Sequence, residues 1–240
     1  GGERFIFDGG TGIRNLGQWL PKKGVREATV LFSHTHWDHI NGLPFFAPAY
    51  QPGNHFRLLA GHLGQTGGIA SIFARQMSDP YFPVPTSAMR ANLRFEDFTA
   101  GDRFGLGVAD RVGVRTAPLN HPNGATGYRL DYQGRSLCYV TDTEHRPGTL
   151  DANILGLIEG ADLLIYDCTY TDEEYPRHRH WGHSTWEEGV RLAKEANVNQ
   201  FVIFHHDPSH NDATMDQIAA DAAKIRPGTV VAHEGLLLQP

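Results

Sequence analysis

Within the run Ser33-His34-Thr35-His36-Trp37-Asp38-His39, three histidines and one aspartate fall in six positions, 34 to 39. Neutral imidazole nitrogens and carboxylate oxygens are ligands for zinc and other first-row metals. In an extended segment His34 and His36 point to the same side and can hold one ion. Asp38 and His39 follow at a turn and can face a second ion beside it. Two ions about 3.5–4 Å apart can hold a hydroxide between them and polarise a substrate oxygen. The bland alternative is a histidine-rich surface turn. A second chemical run, Gly182-His183-Ser184-Thr185, precedes a stretch with helical spacing that reaches about Ala196. The N-terminus of a helix favours negative charge. A histidine just ahead of it can therefore donate to a developing oxyanion or protonate a leaving oxygen. Read without chemistry, this run is an ordinary cap: Ser184 or Thr185 closes the helix, with Glu187 or Glu188 as its partner.

These side chains need rigid mounts. Ala28-Thr29-Val30-Leu31-Phe32 is apolar and β-branched and reads as a buried strand, and Ile40-Asn41-Gly42-Leu43-Pro44 breaks any regular element. The first polar cluster thus stands where a core strand ends. Further strands are predicted at Arg4–Phe7, Phe56–Ala60, Leu93–Phe98 and Val112–Ala117, with a hairpin of Thr126–Tyr132 and Ser136–Thr141 turning at Gln133-Gly134. Leu163–Cys168 and Gln200–Phe204 read as core strands that also end in polar residues, and Thr229–Leu238 closes a sheet. Helices are predicted over Ile13–Leu20, Thr66–Met77, Asp151–Gly160, Thr185–Ala196 and Asn211–Ile225. Asp8-Gly9-Gly10-Thr11-Gly12 is a tight turn that calls for positive φ. Pro80–Pro85 holds three prolines and cannot be a helix interior or a central strand; it is a loop packing its own aromatics or a flap over the site.

The spacing H-x-H-x-D-H after a strand resembles the first motif of the metallo-β-lactamase superfamily. That resemblance implies an α/β (α+β) chain with a four-layer αββα fold, two mixed β-sheets sandwiched between helices, in a single domain over 1–240. It implies a dinuclear centre with metal ligands His34, His36, Asp38, His39, His121, Asp142 and His205. His121, in Pro118-Leu119-Asn120-His121-Pro122, takes the place of the third histidine of the first ion. Asp142, in Val140-Thr141-Asp142-Thr143, takes the place of the bridging aspartate, with Asp167 as its rival. His205 takes the closing position, with His206 as its rival. Asp8 is a carboxylate that supports the ligands. The Gly182-His183-Ser184-Thr185 run looks like the signature of the tRNase Z and phosphodiesterase branch; the resemblance implies two catalytic residues, His183 assisting the leaving oxygen and Asp38 holding and orienting the metal pair with Asp142. His178 and His180 read as surface residues.

The 240 residues are 40% hydrophobic, enough for a sizeable core, and carry a formal net charge of −6. With that charge and no long basic arm, a small phosphodiester such as a cyclic nucleotide is the expected substrate, and nucleic acid is not favoured. The expected activity is phosphodiester hydrolysis through a metal-bridging hydroxide, with zinc as the metal, or manganese or iron. A lactonase, thioesterase or β-lactamase-like hydrolase is the alternative chemistry, and a non-catalytic metal-binding sensor the alternative class. Cys138 and Cys168 each lie in an apolar run and read as buried and free, which suits the cytoplasm, with a single disulfide as the other option. No apolar run is long enough for a membrane span. An oligomer is compatible with the sequence.

Overall fold

The computed structural model describes residues 2–64 and 67–240. Its contacts gather into two units, 1–99 and 100–240.

The first unit is built on a four-stranded sheet. Strand β1 (Phe5–Phe7) leads into helix α1 (Gly12–Trp19), then β2 (Glu27–Phe32), the single turn α2 (Trp37–Ile40), β3 (His55–Ala60), α3 (Gly68–Gln76) and β4 (Asn92–Asp97). The order β1-β2-β3-β4 is parallel at every pairing. Both sheets are expected to be mixed; this one is parallel because each connection returns the chain to the sheet's starting edge. Val30, Phe32, Leu58 and Ala60 are buried with Ile69 and Phe73 of α3 in one apolar cluster. Thr66, the expected start of α3, lies outside the described residues. In the proline loop Phe82 packs edge-to-face on Phe45 at 5.6 Å, while Tyr81 is exposed.

The second unit carries a seven-stranded mixed sheet. Its elements are β5 (Arg103–Leu106), β6 (Val112–Leu119), β7 (Ala125–Tyr132), β8 (Arg135–Val140), α4 (Ala152–Ile158), β9 (Leu163–Asp167), α5 (Trp186–Glu195), β10 (Gln200–Phe204), α6 (Asp212–Ile225) and β11 (Val230–Val231). The order is β11-β10-β9-β8-β7-β6-β5. Pairings from β5 to β8 are antiparallel, and those from β8 to β11 are parallel. β5 escaped the sequence reading, being four residues with a glycine inside. The expected strand Thr229–Leu238 shrinks to Val230–Val231, and the rest is coil.

Cys138 and Cys168 are both free and buried. Burial pushes the Cys138 thiol up to about 12 and the Cys168 thiol well above its ordinary value. No helix among the described residues is long and apolar enough to cross a membrane.

Gly189 lies in α5 against β9 and β10. A Cβ there would strike the Phe201 ring and come within 2.9 Å of the Tyr166 ring. Both aromatics are fully buried. Gly189→Ala is expected to lower unfolding free energy by about 2 kcal/mol, because overpacking outweighs the helix propensity gained. Urea denaturation measures it.

Candidate functional site

In the first unit β1 and β2 run parallel with Phe7 beside Leu31, so both chains leave the sheet at one edge. Asp8 leaves β1 with φ 60° and is buried. Its carboxylate accepts from the Ser33 N–H at 2.7 Å and the Ser33 hydroxyl at 2.9 Å, and lies 2.9 Å from His39 Nδ1. The Ser33 oxygen also lies 3.1 Å from His34 Nδ1. Since that hydroxyl donates to Asp8, it accepts from His34 Nδ1–H. His34 and His39 are thereby held from behind through Nδ1, which leaves the Nε2 lone pair of each able to bind a metal ion. The His34 ring centroid is 4.5 Å from that of His36 and 4.2 Å from that of His39. Asp38 is exposed, with one oxygen 3.1 Å from His39 Nε2. The unit thus brings together His34, His36, Asp38 and His39, with Asp8 behind them.

The turn at 8–12 works differently from its sequence expectation. Positive φ falls on Asp8, not on Gly9, Gly10 or Gly12. Gly10 of the turn, and Gly42 beyond it, serve close approach, while Gly12 has open space around it. A Cβ on Gly10 would strike the Asp38 carbonyl, and one on Gly42 the Gly10 carbonyl. Gly9 N–H donates to the His39 carbonyl at 2.7 Å, and Gly42 N–H to the Gly9 carbonyl at 2.8 Å. The turn is a cradle for α2, and the ligand-bearing segment is seated in it. His62, which sequence reasoning passed over, lies just beyond β3 with its Nε2 3.2 Å from the Thr35 hydroxyl.

In the second unit β8, β9 and β10 are parallel neighbours, with Val140 beside Tyr166 and Phe204 beside Asp167. Two antiparallel steps give β6 the same direction as β8. Four strand ends therefore meet at one edge. They deliver His121, Asp142, Asp167 and His205, and the loop before α5 adds His183. One ligand atom from each of Asp142, Asp167, His183 and His205 lies within 4.8 Å of the others. Asp142 is buried at φ 57° and His205 half-buried at φ 58°. The Asp142 oxygens are 3.3 Å from His205 Nε2 and 3.7 Å from His121 Nε2. His121 Nδ1 donates to the Gly182 carbonyl at 2.8 Å, and His205 Nδ1 lies 3.0 Å from the Thr169 hydroxyl.

The two rival carboxylates differ in what they are already doing. Asp167 accepts the N–H and hydroxyl of Thr169 on one oxygen, and on the other the Thr143 N–H and His183 Nδ1, the last at 3.1 Å. Asp142 accepts from the Thr141 hydroxyl at 2.7 Å and turns its oxygens to histidine Nε2 atoms. His206 turns away from this edge, its Nε2 2.9 Å from the Ala232 carbonyl. Burial alone would push the His183 imidazole down. The Asp167 hydrogen bond and the charges of Asp167 and Asp142 outweigh burial and hold it above its ordinary value. The His183 ring is thus fixed through Nδ1, and its protonated form is favoured.

The helix behind His183 is capped by Thr185, whose hydroxyl accepts the Glu188 N–H at 3.1 Å. The Glu188 side chain goes to Arg191 at 2.6 Å and not back to the cap. Ser184 is fully buried between Tyr166 and His145, at 3.0 and 2.9 Å. Sequence reasoning missed Thr169 and Glu144. The Glu144 carboxylate accepts the N–H groups of His180 and Gly182 at 2.8 and 3.0 Å and so pins the loop that carries His183.

Imidazole nitrogens and carboxylates without thiolate, several held from behind at Nδ1, are a donor set that fits divalent first-row ions. Gly182 keeps one of them in place. It sits at φ 88°, and a Cβ there would strike His121 Nδ1 and press on Pro122 at 2.5 Å. Gly182→Ala is expected to weaken metal affinity or turnover about 10–100-fold in a folded protein. Metal titration alongside circular dichroism checks it.

Residues 3–206 match the family model described as a beta-lactamase superfamily domain. A ribonuclease Z of Halobacterium salinarum is 27% identical over 98% of this chain and 87% of its own length. The ribonuclease Z of Haloferax volcanii is 28% identical over 85% of this chain and 75% of its own. Among solved structures, a metallo-beta-lactamase fold protein from Bacillus subtilis superposes with TM-score 0.70 at 17% identity, over 97% of this chain and 85% of that one. The short form of human tRNase Z does so with TM-score 0.68 at 18% identity, over 99% and 88%. The metallo-β-lactamase fold is thereby established. One expectation falls: relatives named as ribonucleases overturn the small-molecule substrate with nucleic acid set aside. That expectation leaned on the chain-wide charge of −6. A sum over the whole chain says nothing of the potential at one surface.

Proposed function

The chain belongs to the beta-lactamase superfamily, and from that premise we propose that this hydrolase cleaves phosphodiester bonds in RNA with the help of two divalent metal ions. The observation that carries the reading is the edge where Asp142, Asp167, His183 and His205 converge within 4.8 Å, in a chain alignable with ribonuclease Z over nearly all its length. We assign His34, His36, Asp38, His39, His121 and His205 as ligands of the two ions, as the family motifs imply, with Asp142 the shared carboxylate. Asp167 is a poorer bridge because its oxygens are engaged by four donors. Zinc suits the imidazole-rich set. The family match crosses the border of the two units, which supports one domain over 1–240. Two free, buried thiols suit a cytoplasmic location.

When bound, the ions supply Lewis-acid polarisation of the phosphoryl group and lower the pKa of water. Asp38, beside His39, would hold and orient the pair of ions together with Asp142. His183 Nε2–H protonates the leaving oxygen. Asp167 holds the His183 ring in the donating orientation and stabilises its cationic form.

The test is a panel of a transfer-RNA precursor, a single-stranded RNA and bis-p-nitrophenyl phosphate, run after elemental analysis of the purified protein. Expected are two divalent ions per chain, RNA cleavage, loss of cleavage on chelation, and an inactive His36→Ala control. RNA left intact by metal-replete protein overturns the reading.

A further inference from the structure

The loop that delivers His183 is Tyr175-Pro176-Arg177-His178-Arg179-His180-Trp181-Gly182, with two arginines and no acid in a chain of net charge −6. Trp181 is 62% exposed. It is nevertheless firmly mounted. The His178 ring meets it edge-on at 5.3 Å and 80° and itself lies flat on Tyr170 at 4.2 Å and 8°. Tyr170 is buried. The backbone on either side of Trp181 is pinned by Glu144, and the buried Tyr175 hydroxyl donates to the His145 carbonyl at 2.6 Å. Arg177 and Arg179 are exposed; Arg179 lies 6.0 Å over the Tyr175 ring, and among the described residues neither guanidinium is in an ion pair. The neighbouring acids face other groups: Asp172 pairs with Arg191 and Glu174 with His210, both at the distance of a hydrogen bond. Glu173 lines a separate groove against α6.

An exposed aromatic on a rigid mount, in a loop with two exposed guanidinium groups outside any ion pair among the described residues, matches a nucleic-acid strand on both counts. A base stacks on the ring, and arginines neutralise the flanking phosphates. We propose that the loop Tyr175–Trp181 is a docking platform for a single-stranded RNA segment, Trp181 stacking a base next to the scissile phosphate and Arg177 and Arg179 holding the backbone. Trp181 is two residues from His183, a span of at most about 7 Å, so the stacked base is a close neighbour of the bond being cut. The proposal rests on the RNA reading above and goes beyond it by naming the surface that holds the strand.

The test uses the full chain and a fluorescein-labelled single-stranded RNA, measured by anisotropy with metal removed and by steady-state cleavage with metal present. Trp181→Ala is expected to raise Kd and KM for RNA about 5- to 100-fold, with a much smaller change in kcat. Trp181→Tyr is expected to restore most of the affinity. Arg177→Gln with Arg179→Gln is expected to lower the slope of log affinity against log salt by about 1.4. An unchanged KM in Trp181→Ala, while wild type cleaves the RNA, overturns the platform and leaves the ribonuclease reading standing. A loss confined to kcat and equal on bis-p-nitrophenyl phosphate also overturns it, since the loop then serves only to hold His183. Wild-type protein that neither binds nor cleaves RNA sinks both.

Discussion

Asp142→Asn is expected to give a folded protein that retains at most one divalent ion per chain and cleaves RNA at least about 10³-fold more slowly, a loss of about 4 kcal/mol of transition-state stabilisation. Asparagine is the informative replacement. Position 142 has φ 57°, where asparagine is tolerated and alanine strained, and the side chain keeps its shape while losing its charge. The effect is large because the carboxylate is buried and its oxygens lie 3.3 and 3.7 Å from Nε2 atoms of two histidines. At such a place one negative charge offsets the repulsion of two cations. Mass-spectrometric metal counting and single-turnover cleavage read the two halves of the expectation separately. Two ions held at wild-type affinity would remove Asp142 from the role of shared ligand.

His183→Ala is expected to behave in a different way. Metal content stays at the wild-type value, KM for RNA changes little, and kcat falls about 10²–10⁴-fold, the range for losing a positioned general acid. The sign of the pH dependence follows from the environment of the ring. Asp167 and Asp142 favour the protonated form, so the donor is present at low pH and lost as pH rises through a pKa above the ordinary histidine value. The wild-type rate should therefore carry an alkaline limb that is absent from the variant. Comparison within one metal loading removes the influence of the bound cations on that limb. A variant that loses metal along with activity would make His183 a ligand and not a proton donor.

Much of the site could be read from residues alone because its chemistry is local in sequence. His34 to His39 lie in one turn, and the apolar runs ending at Phe32, Val140, Asp167 and Phe204 are true strands whose ends carry polar side chains. What stayed illegible depends on contacts distant in sequence. Nothing near Glu144 announces that it accepts backbone N–H groups at 180 and 182, and nothing near Thr169 announces His205. The glycines of the 8–12 turn could be flagged as special, but the reason for Gly10, a collision with the Asp38 carbonyl, appears only once β1 lies beside β2. β5 failed because a short strand with an internal glycine has no period to detect. The substrate expectation failed because a net charge summed over the whole chain carries no information about the potential at any one surface.

Asp8, Asp142 and His205 share one backbone feature: each leaves its strand in the left-handed region, at φ 60°, 57° and 58°. Only glycine occupies that region freely, and a histidine there costs about 1 kcal/mol relative to it. A laboratory selection for thermal tolerance alone would accordingly favour glycine at 205 and enrich clones that outlast the parent on heating yet no longer turn over substrate. Heat resistance and turnover are opposed at that residue by chain geometry, before any ligand chemistry is considered.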